Sequence, residues 1–240
     1  MSADSQTAVS QRPLPALYLS CAEQLPSNSA GTPLLDRLLD TRLPPQGIVF
    51  ITLQPDLASP QLACSVASEL VNQMQQLLAQ QGQSSTLSKQ LSPRIQQLQR
   101  QLFRQPPGTC IELQLNTGLS AQAYRKLGHS LQQLRNQGIL LICLDRTPEP
   151  HSRDDYHPPH DAYWRELIQQ WVMEQQWQQA IKQADATTVQ PGGTDALISN
   201  ASLGLMHAAF ALGGLCQPQR FFGYGLDDQS HALAGFGWMR

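Results

Sequence analysis

Residues 109–145 constrain the fold of this chain most, because they contain a strand, a turn, a helix and a second strand in succession. Residues 110–115 (CIELQL) mix continuous apolar character with alternation, which is typical of a mostly buried strand. Residues 139–144 (ILLICL) are apolar throughout, as expected of a central strand that is covered on both faces. A crossover of this length favours a parallel pair of strands with a right-handed connection. The stretch therefore predicts an α/β fold.

The helix between these two strands has clear start and stop signals. Residues 116–118 (NTG) are typical of a turn, and the side chain of Ser120 can accept a hydrogen bond from the first helical turn. Gly138 is placed to end the helix in a left-handed conformation. The apolar residues of this helix recur at spacings of three and four, which predicts one buried face; they are Ala123, Leu127, Leu131 and Leu134.

The remaining elements extend this unit into one domain. Apolar runs predict strands at residues 14–19, 47–53, 220–226 and 232–238, and helical spacing predicts helices at residues 33–43, 61–81, 92–103, 162–184 and 195–212. Residues 1–13 are polar and are expected to be disordered, so the domain is predicted to span residues 14–240. The expected architecture is a central mixed, mostly parallel sheet that is flanked by helices.

Charge and composition narrow the classes of partner. The formal net charge is −2 and no basic run is present, so a nucleic-acid partner is not expected. No stretch approaches 18 consecutive apolar residues and the start lacks a signal-peptide pattern, so neither a membrane span nor export is expected. The five cysteines are scattered without a C-x-x-C pair, which is typical of a reduced cytoplasmic protein.

Two groups of polar residues allow more than one interpretation. The loop at residues 146–161 holds metal-ligand residue types, but its prolines and lack of periodicity favour a solvated loop over a preformed metal cage; these residues are His151, Asp154, Asp155, His157, His160 and Asp161. The helices at 61–81 and 92–103 have glutamine-rich outer faces, which favour a solvated surface over an interaction surface. His129 is expected to be exposed, and His207 is expected to be a hydrogen-bonded core histidine rather than a ligand.

The order of elements and several strings resemble the class III extradiol ring-cleavage dioxygenases of the DOPA-dioxygenase type, the LigB-like superfamily. The strings are LPALYLS and PQGIVFIT in the first two strands, AYRKLGHSLQQLRNQGILLICLD in the helix–strand unit, and SNASLGLMHAAFALGG in the late helix. The block at residues 120–145 matches best, and the resemblance extends from Pro13 to the C-terminus. It implies a LigB-like fold and a non-haem Fe(II) or zinc site with open positions for a catecholate and O₂.

The positions of the family's metal ligands are changed in this chain. The first histidine of the family, in a His-Gly-Ser-Pro string, aligns with Cys21, and the second, in Ser-Ala-His-Trp, aligns with Gln54. A further histidine aligns with Glu149, and a shift of two residues would bring in His151. A neutral glutamine amide binds a divalent metal poorly, and a Cys/Gln/His set is not an O₂-activating facial triad.

The resemblance with these replacements predicts a catalytically degenerate family member without a metal cofactor. Such a protein would keep the fold to bind a small aromatic ligand or a partner protein, in a pocket lined by Cys21, Gln54, Asp145 and His151. An alternative is an active oxidoreductase that opens a catechol-type ring with Fe(II) or zinc held by His151, Asp145 and Cys21. A third hypothesis is a purely structural subunit that forms a homodimer or joins a partner protein.

Overall fold

The computed structural model describes residues 13–21, 45–103, 105–146, 195–226 and 232–238. Most of the strands begin or end within two residues of the ranges predicted from apolar runs. The strands in chain order are β1 (Ala16–Cys21), β2 (Gly47–Gln54), β3 (Gln61–Cys64), β4 (Thr86–Ser88), β5 (Thr109–Asn116), β6 (Ile139–Arg146), β7 (Gln219–Leu226) and β8 (Ala232–Trp238).

All eight strands belong to one mixed sheet, in the order β4-β3-β5-β2-β6-β1-β8-β7. The central strands β5, β2, β6 and β1 are parallel neighbours, so their carboxyl ends meet at one edge of the sheet. Strand β3 is antiparallel to β5, and β8 is antiparallel to both β1 and β7. The predicted α/β architecture with a mixed central sheet is therefore confirmed.

The helices cover both faces of this sheet. They are α1 (Glu69–Gln80), α2 (Pro93–Leu102), α3 (Ala121–Leu131) and α4 (Asp195–Leu212), and a 3₁₀ helix (Gln132–Gln137) follows α3. Buried side chains of α1, α3 and α4 pack on one face, which we call the first core. Buried side chains of α2 pack on the other face, which we call the second core. Buried central strands covered on both sides explain the continuous apolar runs of β2 and β6.

The unit at residues 109–145 has the predicted local structure. Ser120 Oγ accepts a hydrogen bond from the Ala123 N–H at 3.2 Å, which satisfies one free donor of the first turn of α3. Gly138 has a φ of 73°, the left-handed conformation expected after the last helical turn. The strands β5 and β6 are parallel as predicted, but they are not direct neighbours, because β2 lies between them and pairs with both.

The predicted helix at residues 61–81 is wrong in its first part. Residues Gln61–Cys64 form the strand β3, antiparallel to β5, and the helix begins only at Glu69. Leu62 and Leu70 both lie in the core, but Val66 between them is 63% exposed. The apparent helical spacing of these three residues therefore came from two separate elements. The short strand β4 was also not predicted.

A buried arginine ties three distant segments together near the amino ends of the parallel strands. The Arg135 guanidinium donates from Nε to the Leu14 carbonyl at 2.6 Å, from Nη1 to the Leu212 carbonyl at 2.7 Å, and from Nη2 to the Trp238 carbonyl at 3.0 Å. Burial lowers the pKa of Arg135. A planar guanidinium has donors in a fixed fork, so one side chain can hold the start of β1, the end of α4 and the end of β8 in register.

Some predictions concern residues outside those that the structure describes. They are the disordered start within residues 1–12, the helix at 33–43, the polar loop beyond residue 146 with His151, and the helix at 162–184. The helix predicted at 195–212 is confirmed as α4, and the final pair of strands is confirmed as the antiparallel pair of β7 and β8.

Candidate functional site

The middle of strand β5 carries a buried carboxylate on the second-core face of the sheet. Glu112 of β5 is 3% exposed and lies beside the first turn of α2. Its oxygens accept hydrogen bonds from the Ser92 N–H at 2.9 Å, Ser92 Oγ at 3.1 Å, Gln114 Nε2 at 3.1 Å and Thr52 Oγ1 at 3.3 Å. These hydrogen bonds connect β5 to β2 and to the first turn of α2.

A second buried carboxylate lies at the carboxyl edge of the central strands, on the first-core face. Asp145 of β6 is 3% exposed, and its Oδ2 accepts a hydrogen bond from the Tyr18 hydroxyl at 2.8 Å. Tyr18 is fully buried and belongs to β1, which pairs in parallel with β6. The pair joins residues 127 positions apart in the sequence. A hydrogen bond to an ionised group is stronger than one between neutral groups, so this contact fixes both side chains.

The negative charge of Asp145 affects the pKa values of two further side chains. Burial, with the negative charge of Asp145, raises the pKa of the Tyr124 hydroxyl and of the Cys143 thiol. The Tyr124 hydroxyl donates to the Asn116 carbonyl at 2.6 Å. Both groups therefore remain protonated near neutral pH, and Cys143 is not activated as a nucleophile or as a thiolate metal ligand.

The structure places the predicted site residues Gln54 and Asp145 on opposite faces of the sheet. Leu53, which precedes Gln54, packs against the first core, so Gln54 extends from the second-core face and is exposed. Cys143, two residues before Asp145, lies in the first core, and Asp145 bonds to Tyr18 on that side. The two side chains therefore extend away from each other, from opposite faces of the sheet.

The other predicted site residues are only partly described. Cys21 ends β1, and its backbone pairs in register with Arg146, so it lies at the carboxyl edge as predicted. His151 lies outside the described residues. Arg94 in the first turn of α2 reaches this edge and donates from Nη2 to the Asp145 carbonyl at 3.1 Å.

His207 and His129 have the burial that the sequence predicts. His207 of α4 is 6% exposed, and burial together with the positive charge of Arg125 lowers its pKa to about 4. It is therefore neutral at physiological pH. His129 is exposed near the end of α3. Neither histidine is shown to be a ligand.

The described residues do not fit the metal centre that the resemblance implies. A facial triad needs three imidazole or carboxylate ligands that converge on one open site. Gln54 offers a neutral amide, and Asp145 faces the opposite side of the sheet and accepts from Tyr18. Within the described ranges, no three His, Cys, Asp or Glu side chains come together as a potential metal site.

Tyr18, Glu112 and Arg94 were not predicted as site residues. Tyr18 and Glu112 stand inside apolar strand sequences, where the alternation of the strand predicts burial but gives no partner. One signal was available for Glu112. A carboxylate inside an otherwise apolar strand is costly to bury, so it predicts a buried hydrogen-bonding partner.

The fold defines a single-domain α/β protein, and one solved structure is similar to it over almost the whole chain. This is the crystal structure of the uncharacterized protein JW3007 from Escherichia coli K12, with a TM-score of 0.62 and 14% sequence identity, covering 93% of this chain and 99% of that chain. At this identity the similarity concerns the fold alone. No protein-family model and no curated protein matches the chain. Among the described helices, none has the length and apolar character needed to cross a bilayer.

Proposed function

We propose that this chain is a divergent, catalytically degenerate relative of the DOPA-type class III extradiol dioxygenases, which keeps the fold to bind a small aromatic ligand without metal catalysis. The observation that carries the proposal is the pair of positions at the carboxyl edge of the sheet. Gln54 stands at the end of β2, where the resemblance implies an imidazole, and Asp145 faces the opposite side, where it accepts a hydrogen bond from the Tyr18 hydroxyl. Ligands of open α/β sheets bind outside the carboxyl ends of the strands.

The same arrangement weighs against the alternative active enzyme. That hypothesis requires the Asp145 carboxylate to join His151 and Cys21 around Fe(II) or zinc. Asp145 is 3% exposed and accepts from the Tyr18 hydroxyl at 2.8 Å, so it would have to leave a buried charge-assisted hydrogen bond to bind a metal. We therefore propose a binding function rather than an enzymatic one. We also propose that the protein is cytoplasmic.

Metal analysis and ligand binding test the proposal together. Protein purified without chelators is expected to hold far less than one iron or zinc per chain and to show no oxygen uptake with catechol, protocatechuate or DOPA in the presence of Fe(II). Calorimetric titration of the metal-free protein with the same compounds is expected to show saturable binding. Stoichiometric metal or oxygen uptake would overturn the loss of catalysis, and no binding of any of these compounds would overturn the ligand class.

A restoration experiment tests the assignment of the lost ligand positions. The double variant Cys21→His, Gln54→His is expected to gain affinity for Zn²⁺ over the unmodified chain, because two imidazoles are returned to the carboxyl edge. The matched control is Gln76→His, which adds an imidazole at an exposed position of α1 away from this edge. If the control gains as much affinity as the double variant, the proposed ligand positions are wrong.

A further inference from the structure

A polar cleft lies at the opposite, amino edge of the parallel strands, away from the site of the proposed function. Its volume is about 630 Å³, and it lies between the end of α1 and the 3₁₀ helix that precedes β6. Small-molecule sites in proteins commonly have volumes of about 300–1,000 Å³. We call it the amino-edge cleft. It is large enough to hold a small molecule.

Amide side chains from two distant parts of the chain converge in this cleft. Gln80 and Gln81 come from the end of α1, while Gln132, Gln133 and Asn136 come from the 3₁₀ helix. Glutamine-rich surfaces that seem merely solvated in the sequence are thus brought together by the fold. Gln80, Gln81, Gln133 and Asn136 are exposed, so their amide donors and acceptors are available to the cleft or to solvent.

The charges of the lining do not favour a charged ligand. The described residues that line the cleft include no carboxylate, and among them Arg135 is the one permanent cation. The Arg135 guanidinium donates to the backbone carbonyls of Leu14, Leu212 and Trp238, so it faces the protein rather than the cleft. An anion or a cation would therefore lose its hydration shell without gaining an opposite charge.

The lining also excludes a largely apolar ligand. Leu77 and Pro13 supply the aliphatic surface of the cleft, while amide, hydroxyl and imidazole groups make up most of the remainder. An apolar molecule would leave several amides without hydrogen bonds, because each amide has both donors and acceptors to satisfy. A ligand that combines hydroxyl groups with a C–H surface would match both parts of the lining.

We propose that the amino-edge cleft binds an uncharged polyhydroxylated molecule, a sugar or a polyol. Hydroxyl groups donate and accept at once, as the amides of Gln80, Gln81, Gln132, Gln133 and Asn136 do. The aliphatic face of such a molecule packs against Leu77 and Pro13. This site lies at the other edge of the sheet from Gln54 and Asp145, and it does not depend on the function proposed above.

Saturation-transfer NMR on the full chain tests the proposal, with maltose and myo-inositol as neutral probes. At least one of the two is expected to bind. The double variant Gln80→Ala, Gln133→Ala is expected to weaken this binding about tenfold, since two hydrogen bonds are lost. The matched control Gln76→Ala, Gln122→Ala removes exposed amides of α1 and α3 that do not line the cleft. It is expected to leave the affinity unchanged.

Two comparison probes make the ligand class falsifiable. Gluconate carries a negative charge, and N-acetylalanine amide presents peptide groups without hydroxyls. Failure of both maltose and myo-inositol to bind would overturn the proposal, as would equal binding by either comparison probe. An equal loss of binding in the cleft variant and in the control would overturn the assignment to this cleft. Circular dichroism of each variant verifies that it is folded.

Discussion

Glu112 and Asp145 are both buried carboxylates of parallel strands, one in the middle of β5 and one near the end of β6, and they lie on opposite faces of the sheet. Glu112 accepts from several donors around the N-terminus of α2, which include a backbone N–H. Asp145 instead accepts a short hydrogen bond from the phenol of Tyr18 on a neighbouring strand. Glu112 therefore fixes a helix to the sheet, whereas Asp145 fixes two central strands to each other.

Removal of the Glu112 carboxylate is expected to cause the largest loss in the free energy of unfolding. In Glu112→Ala, the buried donors around the first turn of α2 lose their shared acceptor, so the free energy of unfolding should fall by about 3 kcal/mol. Urea unfolding followed by circular dichroism measures the change. The matched control is Glu69→Ala, which removes an exposed glutamate from the first turn of α1 and should cost less than about 0.5 kcal/mol. Equal losses in the two variants would contradict the role of Glu112.

Acid is expected to destabilise the first-core face through His207. Its folded-state pKa of about 4 lies below the ordinary value of 6.5, so the unfolded chain binds more protons between these values. The stability from this residue is therefore complete above pH 6.5 and is lost as the pH falls towards 4. Integration over this window predicts a loss of about 2 kcal/mol on going from about pH 7.5 to about pH 5.

Urea unfolding at the two pH values, in the unmodified chain and in His207→Gln, isolates this contribution. The variant is expected to lose less stability on acidification, because glutamine does not titrate. A variant with the same loss as the unmodified chain would show that other groups cause the acid sensitivity.

Removal of one hydrogen-bond donor from each carboxylate is expected to cause smaller losses of stability, which differ between the two sites. Tyr18→Phe deletes the 2.8 Å donor of Asp145 and should cost about 2 kcal/mol, because a buried carboxylate loses a charge-assisted hydrogen bond. Thr52→Val deletes the 3.3 Å donor of Glu112, which still accepts from Ser92 and Gln114, and should cost less than about 1 kcal/mol. If Thr52→Val costs as much as Tyr18→Phe, the two sites are not stabilised as described.

The smallest expected effect of the two carboxylates is on the reactivity of neighbouring cysteines. Cys110 and Cys143 precede Glu112 and Asp145 by two positions. Burial, with the charge of Glu112, raises the pKa of the Cys110 thiol to about 12, and burial with Asp145 likewise raises the pKa of Cys143. Both should resist iodoacetamide in the folded protein, whereas the exposed Cys216 should react readily. Mass spectrometry of the alkylated chain measures the rates. Because burial is the larger cause, Glu112→Gln should change the protection of Cys110 little, and rapid alkylation of Cys110 in the unmodified chain would contradict this.

The sequence predicted the local structure of the sheet and helices well where start and stop signals were strong. Ser120 and Gly138 bound the helical part of the 109–145 unit, and each has a conformational preference that does not depend on distant residues. The prediction failed at residues 61–64, because a strand of four residues is too short to display its own period beside a longer helix. Its strand character depends on pairing with β5, which the local sequence does not encode.

The candidate site was less predictable than the fold. The position of Gln54 at the end of β2 followed from the strand itself. The hydrogen bond between Tyr18 and Asp145 joins strands that are neighbours only because β1 inserts between β6 and β8. Which face a strand-end side chain occupies depends on the register of the whole sheet, so the opposite placement of Gln54 and Asp145 required the structure.

The three carbonyls bound by Arg135 have a consequence for how the chain folds. They belong to Leu14, Leu212 and Trp238, which are widely separated in the sequence. A guanidinium is costly to bury without acceptors, so Arg135 can be enclosed only when all three segments have come together. A partly folded chain in which β8 has not yet paired with β1 would leave this cation open to water.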